Sequence, residues 1–233
     1  MKRGKKYTEL AQHVSRDRLY PAPEAIDLIK TNPVRKFDET LEIHFNLGID
    51  PRQADQQIRG TLVLPHGTGR TIRICVVTTG EKVIEAKEAG ADFVGSEDIV
   101  EKIQGGWLDF DLVIATPDMM AKLGRLGKIL GAKGLMPNPK SGTVTTDIKG
   151  AVKEFKAGKV EYRNDKTGLI HLGIGKVSFS SEQLVDNYNA IFDTIARAKP
   201  SKSKGQYLKS VSLSSTMGPG LFVENARLRR KEV

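Results

Sequence analysis

Serine and threonine residues near the end of this sequence have the types and spacing that most directly indicate a binding function. They alternate as Ser210, Ser212 and Ser214, and the run continues into Thr216, Met217 and Gly218 within the uncharged stretch 212–220. Hydroxyls, backbone amides and a flat apolar side chain can contact ribose hydroxyls and base faces, whereas lysine and arginine mainly hold phosphates. The stretch is therefore a candidate recognition loop. The alternative is a hairpin turn in which Gly218 and Pro219 only reverse the chain.

Two other segments show the alternation of a half-buried strand. Apolar and polar residues alternate along 37–49, which predicts an antiparallel strand, 36–49, whose polar face carries Lys36, Thr40, Glu42 and His44. The run 168–176 places Gly168, His171, Gly173 and Gly175 opposite three apolar residues. If both strands share a sheet with 208–214, we expect helix 181–199 to cover one face. The other face would be small, polar and rich in glycine, so that another backbone could approach it closely.

The composition favours a polyanionic partner. The chain has 37 Lys and Arg against 28 Asp and Glu, a net charge of +9. The single cysteine, Cys75, excludes an internal disulfide or a cysteine-based zinc site, and the four histidines lack metal-ligand spacing. No run is long and apolar enough to span a membrane, and the basic N-terminus lacks the apolar core of a secretory signal. We therefore expect a cytoplasmic protein without a metal or other cofactor.

The order of the patterns predicts two domains. An α+β domain formed by residues 1–67 and 160–233 would contain an inserted α/β domain, 68–159, in which strands and helices alternate as in a parallel Rossmann-like sheet. We expect the strand after residue 57 to pair with strand 37–49, and one helix to begin at Pro117 and run to residue 130. The inserted segment has a net charge of +2 (14 basic, 12 acidic) and the remainder +7 (23 basic, 16 acidic). The polyanion should therefore mainly meet the discontinuous domain, and two short linkers should let the inserted domain hinge.

A nucleotide-dependent enzyme with an RNA-binding domain is the competing hypothesis. The first strand–helix turn of the inserted domain, VVTTGEKV, is not a G-x-G-x-x-G fingerprint, and LGKILGAKGLM is not a phosphate-binding P-loop. No serine lies in a nucleophile elbow. We therefore predict no catalytic residues. Cys75 and Trp107 are interpreted as packing residues of this domain.

An acid-free basic stretch runs between Asp118 and Asp147. Its cations are Lys122, Arg125, Lys128, Lys133 and Lys140. One interpretation is a solvated basic helix followed by a long connection. The other is a second polyanion contact, in which phosphates meet lysines and a close glycine backbone.

Three passages resemble the L-one family of bacterial large-subunit ribosomal proteins. They are KFDETLEIHFNLGIDPRQADQQIRGTLVLPHGTGR, GLMPNPKSGTVT and SLSSTMGPG, in this order, and the likeness covers essentially the whole chain. The resemblance implies a discontinuous domain with a second domain inserted, and binding to the side-stalk region of large-subunit rRNA. It also implies a role in the movement and release of deacylated tRNA from the exit site, and repression of translation of the protein's own operon mRNA. The protein would be a monomer when free and would act on the ribosome.

The resemblance also implies which residues contact RNA. The family's contacts match Lys36, Phe37 and Thr40, then Lys166, Thr167 and Gly168 through His171, and finally Ser210 to Gly218. These are the same three segments that the polar patterns select. The alternation places Phe37 on the apolar face, although at the start of the strand it could instead stack on a base. The acid-free stretch becomes a secondary contact with rRNA or exit-site tRNA.

Overall fold

A computed structural model of the chain describes residues 4–15, 17–32 and 36–224. The fold is mixed α/β with several sheets, and the chain divides into two units. The first unit consists of Met1–Gly69 and Tyr162–Val233, and the second of Arg70–Glu161. The basic tail 227–233 lies outside the described residues.

The first unit contains a four-stranded antiparallel sheet. Its strands are β1 (Thr40–Leu47), β7 (Leu169–Lys176), β8 (Leu208–Ser215) and β9 (Leu221–Val223), in the order β7-β1-β8-β9. The condition for a shared polar face is met, because the three strands share one sheet, and β9 adds a fourth strand beyond β8. A single parallel bridge joins Tyr20 to Val223 of β9.

Two helices cover the apolar face of this sheet. In β1, Leu41, Ile43 and Phe45 are fully buried and alternate with half-exposed polar residues. Helix α8 (Ser181–Arg197) packs here, with the Phe192 ring 6.3 Å from the Phe45 ring, and α2 (Ala22–Thr31) packs beside it. A capping box starts α8, because the Ser180 hydroxyl accepts from Gln183 N. The period of two in β1 thus fixes which residues remain on the opposite, polar face.

A buried asparagine ties the end of the first unit's first segment to α8. Asn187 is completely buried, and its side chain accepts a hydrogen bond from His66 N (3.1 Å). The same amide donates to Gly67 O (3.0 Å) and Ile174 O (2.8 Å). The Asn187 side chain thereby fixes the backbone of residues 66–67 against α8. This point lies two residues before the first segment of the unit ends at Gly69.

The sequence-based description of β1 and its partners was wrong in three details. The strand begins at Thr40, so Phe37 is exposed in the preceding segment and does not lie on the apolar face. The chain after residue 57 forms β2 (Arg59–Val63), which pairs with β6 (Lys159–Arg163), because β7 and β8 already occupy both edges of β1. A register shift between Leu41 and Glu42 sets Gly175 against Leu41, which moves Gly175 to the helix-covered face.

Parallel strands form the sheet of the second unit. They are β3 (Ile74–Val77), β4 (Phe93–Gly95) and β5 (Leu112–Ala115), in the order β4-β3-β5. One face packs against α3 (Lys82–Glu88) and α7 (Ile148–Lys156). The other packs against α4 (Glu97–Gln104), α5 (Met120–Gly124) and α6 (Gly127–Ala132). Because helices cover both faces, β3 is a continuous apolar run in which every residue is buried.

The helix predicted from Pro117 to residue 130 is interrupted. A 3-10 turn, Pro117–Met119, precedes α5, and α5 and α6 are separate helices. Gly124 and Gly127 flank the break, and glycine is a poor helix former. The short helices α1 (Lys5–Gln12) and α2 were not predicted.

The two packing assignments in this unit are confirmed. Cys75 is fully buried in β3, and burial, followed by the Asp98 carboxylate, raises the pKa of its thiol to about 12. The Trp107 ring makes T-shaped contacts with Phe93 (4.8 Å) and Phe110 (5.2 Å).

Candidate nucleic-acid interface

The polar face of the four-stranded sheet brings the three predicted segments together in cross-strand rows. Glu42 lies between Gly173 and Ser214, His44 between His171 and Ser212, and Asn46 between Leu169 and Ser210. These residues are half-exposed, and His171 is exposed. Side chains that are far apart in sequence, such as His44 and Ser214 at a separation of 170 positions, therefore form one surface three strands wide.

Two histidines occupy the centre of the polar face. The Nδ1 atoms of His44 and His171 lie 2.9 Å apart, and His44 Nε2 is 3.0 Å from Ser214 Oγ. Only one proton fits between the two Nδ1 atoms. If both rings were protonated, two N–H groups would point at each other, which is unfavourable. Burial, followed by His171, lowers the pKa of His44, and the Glu42 carboxylate opposes this shift. The face therefore presents a neutral His44 at pH 7.

The lowered pKa of His44 predicts a loss of stability at mildly acidic pH. Below about pH 6.5 the unfolded chain binds a proton at His44 more readily than the folded chain, so the free energy of unfolding should fall. Below the folded-state pKa the loss should level off. Urea denaturation should show that the free energy of unfolding falls more between pH 7.5 and pH 5.5 for the wild type than for His44→Gln. Equal falls in the two proteins would contradict a lowered pKa of His44 in the folded chain.

Backbone and side-chain hydrogen bonds fix the loop that follows β8. Thr40 N donates to Thr216 Oγ1 (3.0 Å), and Thr216 N donates to Thr40 O (3.1 Å). Met217 N donates to the carboxylate of Glu39 (3.1 Å), which is buried. A Cβ on Gly218 would lie 2.4 Å from Ser215 Oγ. Met217 is left 42% exposed at the end of the polar face. The loop also joins β8 to β9, so it reverses the chain as the alternative interpretation predicted.

A second ordered turn closes the opposite end of the face. The Asp165 carboxylate accepts from Thr167 N (2.8 Å) and Leu169 N (2.7 Å). Desolvation acts against it, but these hydrogen bonds lower the pKa of Asp165 overall. Gly168 has φ of +84°, and its carbonyl accepts from Leu47 N. Lys166 and Thr167 are exposed on this turn, although the Thr167 hydroxyl also donates to Asp165.

Cations lie at the ends of the polar face. Lys36 and Phe37 are exposed just before β1, three to four residues from Thr40. Lys176 Nζ donates to Thr40 Oγ1 (3.0 Å) at the same end. Lys166 lies at the other end, while the middle row carries imidazoles and hydroxyls.

Sequence reasoning missed one residue on this surface, Phe222, and one buried residue that supports it, Glu39. Phe222 of β9 lies opposite Ser212 and is exposed on the polar face, and the alternation of Leu221, Phe222 and Val223 could have identified it. Glu39 was missed because a carboxylate next to a strand is ordinarily solvent-exposed. Nothing in the local sequence indicates that it accepts a hydrogen bond from a loop 178 positions away.

The acid-free stretch is less basic in the fold than in the sequence. Lys122 pairs with Glu97 of α4. Arg125 and Lys128 line a cleft that also contains Glu97 and Glu101. Lys133 and Lys140 are exposed elsewhere on this unit.

The connection after α6 is folded onto the second unit. Asn138 N donates to Thr143 Oγ1 (2.8 Å), and the Asn138 side chain accepts from Lys140 N. Ala115 N donates to Thr143 O, so the segment follows the end of β5. The GLMPNPKSGTVT passage thus has a structural role here.

Metal-ligand clusters of three or more His, Cys, Asp or Glu residues are absent from the described part of the chain. No helix within the described ranges is long and apolar enough to cross a membrane.

A basic chain whose sheet presents hydroxyls, imidazoles and glycine between flanking lysines has the features of an RNA-binding protein. The model of the ribosomal protein L1p/L10e family matches residues 28–219 of the 233. The chain therefore belongs to the ribosomal protein L1p/L10e family, in agreement with the resemblance in its sequence. Membership makes it a protein of the large ribosomal subunit that binds ribosomal RNA, in a family of structural proteins rather than enzymes.

Proposed function

We propose that the polar face of the first unit, with its two end turns, binds the side-stalk region of large-subunit rRNA. The observation that carries this proposal is the row His171–His44–Ser212, which joins three separately predicted segments between the Met217 loop and the Lys166 turn. The contact residues are Lys36, Phe37, Thr40, Glu42, His44, Lys166, Thr167, Gly168, His171, Ser210, Ser212, Ser214, Thr216, Met217 and Gly218.

The distribution of charge on this face supports recognition of RNA shape. Lysines lie at the ends, where they hold phosphates, whereas the middle is uncharged except for Glu42. A carboxylate repels phosphates but accepts hydrogen bonds from base amino groups and ribose hydroxyls. The middle of the face therefore fits sugars and bases, and the ends fit the phosphate backbone.

The second unit is proposed to be a Rossmann-like domain inserted in the first and hinged on it. Its parallel sheet with helices on both faces supports the first part, and the two chain connections near residues 69 and 162 support the second. In this proposal its movement assists the release of deacylated tRNA from the exit site. Lys122, Arg125, Lys128, Lys133 and Lys140 would make the secondary contact, which the pairing of Lys122 with Glu97 weakens.

The same polar face is proposed to bind the protein's own operon mRNA and so to repress its translation. One surface cannot hold both RNAs, so rRNA and mRNA would compete for the free, monomeric, cytoplasmic protein. Competition between a stalk transcript and an operon transcript should therefore be complete. Simultaneous binding of both would contradict a shared site.

Salt dependence separates recognition of a folded RNA from attraction of charge. A transcript of the stalk region and a scrambled RNA of equal length are titrated with the full chain over a range of salt concentrations. Counterion release weakens both complexes, but only the stalk transcript should stay tightly bound at high salt. Parallel loss of both complexes would overturn the proposed function, because the protein would then be a general basic binder.

A further inference from the structure

An exposed aromatic ring extends the polar face to its fourth strand. In β9, Leu221 and Val223 are buried, whereas Phe222 between them is 40% exposed. The register pairs Phe222 with Ser212, which itself pairs with His44. Phe222 therefore continues the row His171–His44–Ser212 onto the fourth strand, in a sheet whose neighbouring strands lie about 4.8 Å apart.

A second apolar side chain borders this ring. Tyr20 N donates to Phe222 O, and Glu224 N donates to Tyr20 O, so residues near Tyr20 run parallel to β9. Tyr20 is buried, and its neighbour Leu19 is 54% exposed. Because side chains alternate along an extended segment, Leu19 lies on the same side as Phe222. An apolar platform thus borders the serine row of β8.

Single exposed apolar residues are common and need no explanation on their own. Phe222 differs because it lies in line with two imidazoles and next to hydroxyls on a face that fits RNA. Within the described ranges, no aromatic ring or cation packs on the Phe222 ring. The ring lies on the last strand of a four-stranded sheet, an arrangement on which unpaired bases stack in RNA-binding sheets.

We propose that Phe222, bordered by Leu19, is a stacking platform for one unpaired base of the bound RNA. This inference rests on the proposed function and extends that site past the contacts assigned to it. An aromatic platform holds a base of any identity through its π-face, so Phe222 adds affinity while the polar row selects the fold of the RNA.

Substitution of the ring tests the proposal on the stalk transcript. Phe222→Ala should weaken binding about 5- to 150-fold, the range reported for removal of one base–aromatic stack. Phe222→Tyr retains the ring and should bind within about twofold of the wild type. Phe222→Leu retains apolar area but loses the π-face, and should resemble the alanine variant. The slope of affinity against salt should stay unchanged, because no charge is removed.

Val63→Ala is the matched control, because Val63 is an exposed apolar residue of β2, outside the four-stranded sheet. Chemical probing of the bound transcript should show one unpaired base that gains reactivity with Phe222→Ala. If Phe222→Ala fails to fold, a comparison of Phe222→Tyr with Phe222→Leu still tests the proposal, because only the tyrosine variant keeps an aromatic ring.

The two proposals fail in different ways. If the wild type does not distinguish stalk from scrambled RNA, the proposed function fails. If it does, but Phe222→Ala binds like Val63→Ala, only the stacking platform is overturned. Equal binding by Phe222→Leu and the wild type would also overturn it, because an apolar contact without stacking would explain the data.

Discussion

Replacing Met217 with aspartate should weaken binding of the stalk transcript on the order of 100-fold or more. Met217 is held at the end of the polar face by hydrogen bonds from its own N–H to Glu39 and from Thr40 N to Thr216 Oγ1. A carboxylate there would be desolvated against RNA and repelled by its phosphates, which costs several kcal/mol. Filter binding or calorimetry at fixed salt measures the loss.

Ile84→Asp is the matched control for this prediction. Ile84 is 62% exposed on α3 of the second unit, so the same kind of change adds the same charge to the unit that does not carry the polar face. It should alter affinity by no more than about threefold, since exposed charges are screened by salt. Thr216→Ala should also weaken binding, and Thr216→Ser should restore it by retaining the hydroxyl. Similar losses for Met217→Asp and Ile84→Asp would remove the loop from the site.

Replacing Asn187 with alanine should lower the free energy of unfolding of the first unit by about 2–4 kcal/mol. The change leaves Ile174 O, whose hydrogen bond to Asn187 is buried, without a side-chain partner, and such a buried orphan costs about 1–3 kcal/mol. It also removes the part-buried hydrogen bonds with Gly67 O and His66 N. Urea denaturation followed by far-UV circular dichroism measures the change. Trp107, the sole tryptophan, reports the second unit by its fluorescence.

Asn189→Ala controls for the loss of an amide from the same helix. Asn189 is exposed on α8, so its replacement should change stability by less than about 0.5 kcal/mol. A comparable loss for both variants would mean that the buried hydrogen bonds of Asn187 contribute little.

The alternation of apolar and polar residues predicted which face of a strand is buried better than it predicted which strands pair. It assigned Leu41, Ile43 and Phe45 to the core because burial with a period of two is a local property. It did not predict that β2 pairs with β6, because pairing depends on which strand edges are already occupied. Nor did it predict the shift between Leu41 and Glu42, since a bulge depends on the partner strand.

The part of the candidate site that lies on strands could be predicted from the sequence, whereas two residues just before β1 were misplaced or missed. Ser210, Ser212 and Ser214 share the polar face with His44 because alternation placed them there. Phe37 was assigned to the wrong face because the pattern continued past the first residue of β1. Glu39 could not be predicted, because its role comes from a non-local hydrogen bond to Met217 N.

The burial of Cys75 makes the native chain unreactive toward thiol-directed probes. Its thiol is inaccessible in β3, and with a pKa raised to about 12 it remains protonated at the pH of labelling reactions. Cysteines introduced at one exposed position in each unit would therefore be the only reactive thiols. A pair of dyes attached to them would report the distance between the units in the free protein and in its complex with RNA, without first removing a native residue.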